Sequence, residues 1–165
     1  LYCSVLTNYS VWLVENDGIA AESIALLFSP LDKPRIHNPR EYATKMVKHG
    51  ENEIIISFTV LEKIPAQIRA CKKVLHGAFV VYYDSGSPTS YKVAQDKIIE
   101  IKKIYSTRFE VILLGIEANN PCDNVITVGS AKKFAMANKI DFVFVSANDN
   151  CSTFLETLAF KVAEN

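Results

Sequence analysis

The run Asn16-Asp17-Gly18-Ile19-Ala20-Ala21-Glu22-Ser23 follows the apolar segment SVWLV, residues 10–14, and precedes IALLF, residues 24–28. A strand, a loop of small residues and a helix in that order can hold a phosphate, because backbone N–H groups at a helix N-terminus point toward the anion. A working loop of this kind reads G-x-x-x-x-G-K-[ST]. Its glycines allow a tight turn and close backbone approach, its Lys reaches the β- and γ-phosphates, and its hydroxyl binds magnesium. At the same spacing this chain carries Asn16, Ala21, Glu22 and Ser23. Gly18 is the sole glycine before Gly50 and falls inside the variable run. Two unit charges near 4 Å interact by roughly 4 kcal/mol at an effective dielectric of about 20, so Glu in place of Lys turns attraction into repulsion of similar size. Sliding the frame by one residue puts Ala21 at the Lys position, which is neutral but still supplies no cation. Ser23 alone reads as an ordinary helix residue.

Other reactive residue types are scattered. Cys3, Cys71, Cys122 and Cys151 include no C-x-x-C pair and no Cys/His cluster of zinc spacing. They read as reduced thiols of an intracellular, cytoplasmic protein. His37, His49 and His76 lie in a Pro-rich loop, a turn and a segment before a strand, where surface or capping roles are expected. There is no G-x-S-x-G nucleophile elbow. The 165 residues are 49% hydrophobic, enough for one domain with a core of its own. The chain starts at Leu1 without a signal-like segment and reads as one domain, residues 1–165, excised from a longer protein. Eighteen basic residues balance eighteen acidic ones, which gives no broad electrostatic footprint for nucleic acid or anionic lipid. No apolar run approaches the roughly 20 residues of a membrane helix.

The elements that must position these residues alternate. SVWLV, GAFVVYY (77–83), EVILLGI (110–116) and DFVFVSA (141–147) read as strands buried on both faces. Residues 44–61 form two strand-like runs around His49-Gly50-Glu51-Asn52, a hairpin signal. Amphipathic helices are expected over Ile19–Phe28, Ser90–Tyr105, Ser130–Asn138 and Ser152–Val162, with a weaker amphipathic stretch from Pro65 to Leu75. Residues 29–42, with three prolines and five charged residues, read as an exposed loop. The pattern predicts a three-layer α/β domain: a six-stranded, mostly parallel sheet with helices on both faces. Ligands of such sheets bind at the strand carboxyl ends, where the run after Val14 and the loops after residues 83, 115 and 147 meet.

Three stretches carry a family resemblance. VLHGAFVVYYDSGSPTSY (74–91) is similar to the "G-A-…-V-Y-D" strand of small GTPases and the serine and aromatic that follow it. VILLGIEANN (111–120) is similar to their "L-V-G-N-K-x-D" strand and base-binding loop. VGSAKKFAMANKIDFVFVSANDN (128–150) is similar to the later helix, strand and "S-A-K". In order and spacing the chain resembles the Ras superfamily over residues 10–163, which implies a P-loop NTPase-type, small-GTPase-like fold.

The chemical motifs of that family are not kept. The D-x-x-G element has no place, because no Asp occurs between Asp32 and Asp84 and no Gly between Gly50 and Gly77. Gln67, after Pro65, does not stand in the context of a water-positioning Gln. The N-K-x-D motif reads Ile116-Glu117-Ala118-Asn119. The motif Asp accepts two hydrogen bonds from the base, whereas an Asn amide would set its NH₂ donor against a base N–H. Ile116 has no hydrogen-bonding side chain, and Glu117 adds negative charge. Ser146 and Ala147 keep two of three S-A-K residues, with Asn148 for Lys. Phosphate, magnesium and base positions fail together, so the resemblance implies a pseudoGTPase with no nucleotide, metal or catalytic residue.

The runs LLFSPL (26–31) and VLHGAFVVYY further resemble internal pseudoGTPase domains of large Rho GTPase-activating proteins, which also carry GTPase, FF and RhoGAP domains. That implies a noncatalytic interaction module in Rho signalling, with any catalytic arginine elsewhere in the parent. Loop 29–42 and the hydrophobic edge near Ile54–Val60 are the candidate protein-binding surfaces; Lys72-Lys73 and Lys102-Lys103 read as solvated faces, either of which could dock an acidic partner. Asp84 is expected to cap the turn after its strand. Two alternatives remain at this level. One is an atypical nucleotide binder. The other is a flavodoxin-like or receiver-like domain, for which Glu15 and Asp17 supply acids while residues 146–148 lack the needed Lys.

Overall fold

Continuous apolar runs become the central strands of a sheet, buried on both faces. The computed structural model describes residues 6–14, 16, 41–49, 52–61, 63, 64, 77–105, 109–118 and 125–146. Its elements run β1 (Leu6–Val14), β2 (Glu41–His49), β3 (Asn52–Leu61), β4 (Gly77–Asp84), α1 (Pro88–Tyr105), β5 (Glu110–Ile116), α2 (Val128–Ala137) and β6 (Asp141–Val145). The six strands lie in the order β2-β3-β1-β4-β5-β6. Five run parallel; β2 is antiparallel to β3, with His49 opposite Asn52 across the expected hairpin.

Registers pair Trp12 with Phe79 and Phe79 with Val111, so one face carries Trp12, Val14, Phe79, Val81, Val111 and Leu113. These residues form one buried cluster with Ala94, Ile98, Ile101 and Tyr105 of α1 and Ala131 of α2. The Trp12 ring lies tilted 5.1 Å from Phe79 and edge-on at 5.1 Å against Phe109, the latter an arrangement that aromatic quadrupoles favour. Gly77 makes this possible: a Cβ there would stand 2.4 Å from the Trp12 ring. On the opposite face Val11, Leu13, Val80, Tyr82, Ile112 and Leu114 are also buried, as double-faced parallel strands require.

The helix expected over 90–105 starts two residues earlier, at Pro88, where a proline suits the first turn. The one expected over 130–138 runs from Val128 to Ala137 behind an N-cap, Thr127, whose hydroxyl accepts from the Ser130 N–H. Helices expected over 19–28 and 152–162, and the stretch 65–75, lie outside the described residues. Two expectations change. The run Ile54–Val60 is not an edge: β3 lies between β2 and β1, and Ile54 and Ile56 are buried. Conversely, β6 is only half-buried except at Val145, because it ends the sheet with a single neighbour.

Candidate functional site

Parallel pairing brings the carboxyl ends of β1, β4, β5 and β6 to one end of the sheet. There Asn16, at the first glycine position of the phosphate-loop pattern, is 2% exposed. Its side-chain amide donates 3.0 Å bonds to the carbonyls of Tyr82 and Ser90. Its backbone N–H reaches the Tyr82 hydroxyl at 3.4 Å. One side chain thus ties the region after β1 to the end of β4 and the first turn of α1.

The turn between β4 and α1 is held by its own short polar residues. The Asp84 carboxylate accepts from the Gly86 N–H at 2.8 Å, so the expected turn-capping role is the observed one. The Ser90 hydroxyl, buried, accepts from the Asp84 N–H and donates within reach of the Asp84 and Ser87 carbonyls. Ser85, also buried, knots the next loop. Its N–H donates to the Ile116 carbonyl, its hydroxyl accepts from the Ala118 N–H, and its carbonyl accepts from the Val125 and Ile126 N–H groups.

Three of the four base-motif positions, Ile116, Glu117 and Ala118, are therefore parts of a backbone network. Ile116 and Glu117 are half-buried, and the Glu117 N–H donates to the Val145 carbonyl at 2.9 Å. Ser146 follows β6 directly and is half-buried. The structure brings Asn16, Ile116, Glu117 and Ser146 to the same end of the sheet; Ala21, Glu22, Ser23, Asn119 and Ala147 lie outside the described residues. Sequence reasoning missed the tying roles of Asn16, Ser85 and Ser90. The signal available was the three serines that follow Asp84 in DSGSPTS, a composition that favours local side-chain-to-backbone bonds.

Chemically this end of the sheet offers engaged amides and hydroxyls. No three His, Cys, Asp or Glu side chains among the described residues gather to hold a metal ion. Tyr83 is fully buried under Gly115, whose Cβ would stand 2.7 Å from the Tyr83 hydroxyl. Burial, with a smaller contribution from Tyr91, pushes the Tyr83 phenol far above its ordinary 10.0. It stays neutral near pH 7 and is no base. Lys102 and Lys103 occupy the last turn of α1, where cations complement the helix dipole.

The family comparison fits this frame. A sequence model of the family described as "Ras: Ras family" matches residues 66–163, more than half of the chain, from before β4 to beyond β6. No curated protein matches the chain significantly. The parallel sheet, its single antiparallel strand and its helix placement agree with that match. The chain belongs to the Ras family.

Proposed function

We propose that this Ras-family domain is a pseudoGTPase: it neither binds nor hydrolyses GTP and acts by binding other proteins. The observation that carries this reading is the joint failure of the phosphate, magnesium and base motifs at Asn16, Ala21, Glu22, Ile116, Glu117 and Asn119, with no room for D-x-x-G. The engagement of Asn16 supports it. A phosphate loop leaves that corner to bare backbone, whereas here a buried amide fills it and is bonded to two carbonyls. These bonds fasten the region after β1 to β4 and α1.

The proposal extends to the setting. The domain is a cytoplasmic scaffold or interaction module of small-GTPase signalling, within a Rho GTPase-activating protein whose catalytic arginine lies in another domain. It takes no nucleic acid and carries no integral membrane segment. A direct test is to purify the chain, denature it and chromatograph the supernatant. Absence of stoichiometric GDP or GTP is expected; a guanine nucleotide released in equal amount to protein would refute the reading. Sequencing the complete reading frame tests the parent, which should encode a RhoGAP domain.

A further inference from the structure

The outer face of α2 combines exposed apolar side chains with exposed cations. Val125 is 62% exposed, Val128 37% and Met136 79%. Val128, Lys132 and Met136 recur every four residues, so they stand in one line about 12 Å long on the helix. The core does not need them, since α2 packs inward through Ala131, Ala135 and Phe134.

The charge on this face has one sign. Lys132, Lys133 and Lys139 are exposed, and none has an acidic partner among the described residues. No Asp or Glu occurs from Val125 to Ile140. The contrast with α1 is direct: there Lys92 pairs with Asp96 at 3.1 Å, and Glu100 shares the outer surface. In a chain of zero formal net charge, the outer face of α2 is a local cationic strip with apolar contacts along it.

Gly129 adds an independent mark. Gly129 is the second residue of α2, in its first turn. Nothing within 4 Å would meet a Cβ at Gly129, so internal packing gives no reason for its absence. A bare helix turn beside Val128 and Lys132 is what close approach of another backbone would use.

We infer that the outer face of α2 docks an acidic amphipathic helix of a partner protein, with the partner's backbone crossing at Gly129, its apolar side chains on Val128 and Met136, and its carboxylates toward Lys132, Lys133 and Lys139. Val128 and Met136 stand eight residues, about two turns, apart on one face, and apolar contacts with complementary charge beside them are how helices recognise one another. A membrane is the poorer occupant, because an interfacial helix needs a broad apolar face and this one offers two side chains along its line. The inference rests on the reading of the domain as an interaction module. It does not depend on which residues fill the nucleotide pocket.

The test selects helical peptides from a random displayed library on the 165-residue chain, with a Lys132→Glu, Lys133→Glu variant as counter-target. Recovered peptides are expected to be acidic, with apolar residues at helical spacing, and to shift the amide resonances of residues 125–139. The double variant should weaken their binding by about tenfold or more. Gly129→Leu should keep the melting temperature within the range of a surface change while weakening the peptides. Recovered peptides without acidic excess, resonance shifts elsewhere, or equal affinity for the double variant would overturn the inference. So would binding of phosphatidylserine vesicles through this face with no peptide binding, or self-association that Lys132→Glu abolishes. A guanine nucleotide found in the purified protein would refute the pseudoGTPase reading and leave these peptide results standing, so the two failures are separable.

Discussion

Asn16 and Tyr83 make opposite bargains with burial. The Asn16 amide is buried with both donor bonds made, so Asn16→Ala leaves the Tyr82 and Ser90 carbonyls short of a donor. A loss of about 1–3 kcal/mol is expected, read as a lower urea midpoint with an unchanged slope. The same substitution is expected to create no nucleotide affinity, since the Lys position remains acidic. The Tyr83 hydroxyl is buried with no hydrogen-bond partner among the described residues. Tyr83→Phe removes an orphaned polar group and keeps the ring edge-on to Tyr91. It should leave stability unchanged or raise it by about 1 kcal/mol, measured the same way. At this scale the sequence disclosed which chemistry was missing. A Glu in place of a Lys is visible in one dimension. That Asn16 had become a structural tie was not, because its partners lie 66 and 74 residues away.

Helix and strand boundaries follow from local rules, and α2 shows both how well and at what cost. Its C-terminus closes as a Schellman motif: the Ile140 N–H donates to the Ala135 carbonyl and the Lys139 N–H to that of Met136. The residue after the cap must then take left-handed backbone, and Lys139 does so at φ 54°. Glycine is the usual occupant. Lys139→Gly should therefore raise stability by about 0.5–1 kcal/mol, detectable as a higher thermal midpoint. Element types were legible from periodicity: four apolar runs became strands, and the two described helices begin within two residues of their expected starts. Strand order was not legible. Ile54–Val60 read as a hydrophobic edge, yet β3 pairs with β1 from Glu53 to Leu61 and β2 takes the margin instead. Which strand lies outermost is decided by long-range pairing, for which a single sequence carries little local signal.

At the scale of the whole molecule, the tyrosines set an alkaline limit. Tyr9 and Tyr83 are buried, and desolvation raises both phenols well above 10.0. The unfolded chain releases these protons near pH 10 while the folded chain holds them, so the unfolded state binds fewer protons and stability falls as pH rises. This contribution is fully present below pH 10 and is lost progressively above it. Urea midpoints should be flat with respect to these groups from pH 7 to about 9 and drop by pH 11; a double Tyr9→Phe, Tyr83→Phe variant should drop less. The family assignment was legible as three runs in register, and these fall within the matched residues 66–163. Whether the molecule has left nucleotide behind is the central question, and a melting temperature answers it. A ligand at about 100 times its Kd stabilises a folded protein by roughly 2.7 kcal/mol, a shift of several degrees. With millimolar GTP, GDP or ATP and magnesium, the midpoint should not move. A clear rise with guanine nucleotides alone would contradict the pseudoGTPase reading and mean that the loop after β1 holds phosphate despite Asn16 and Glu22.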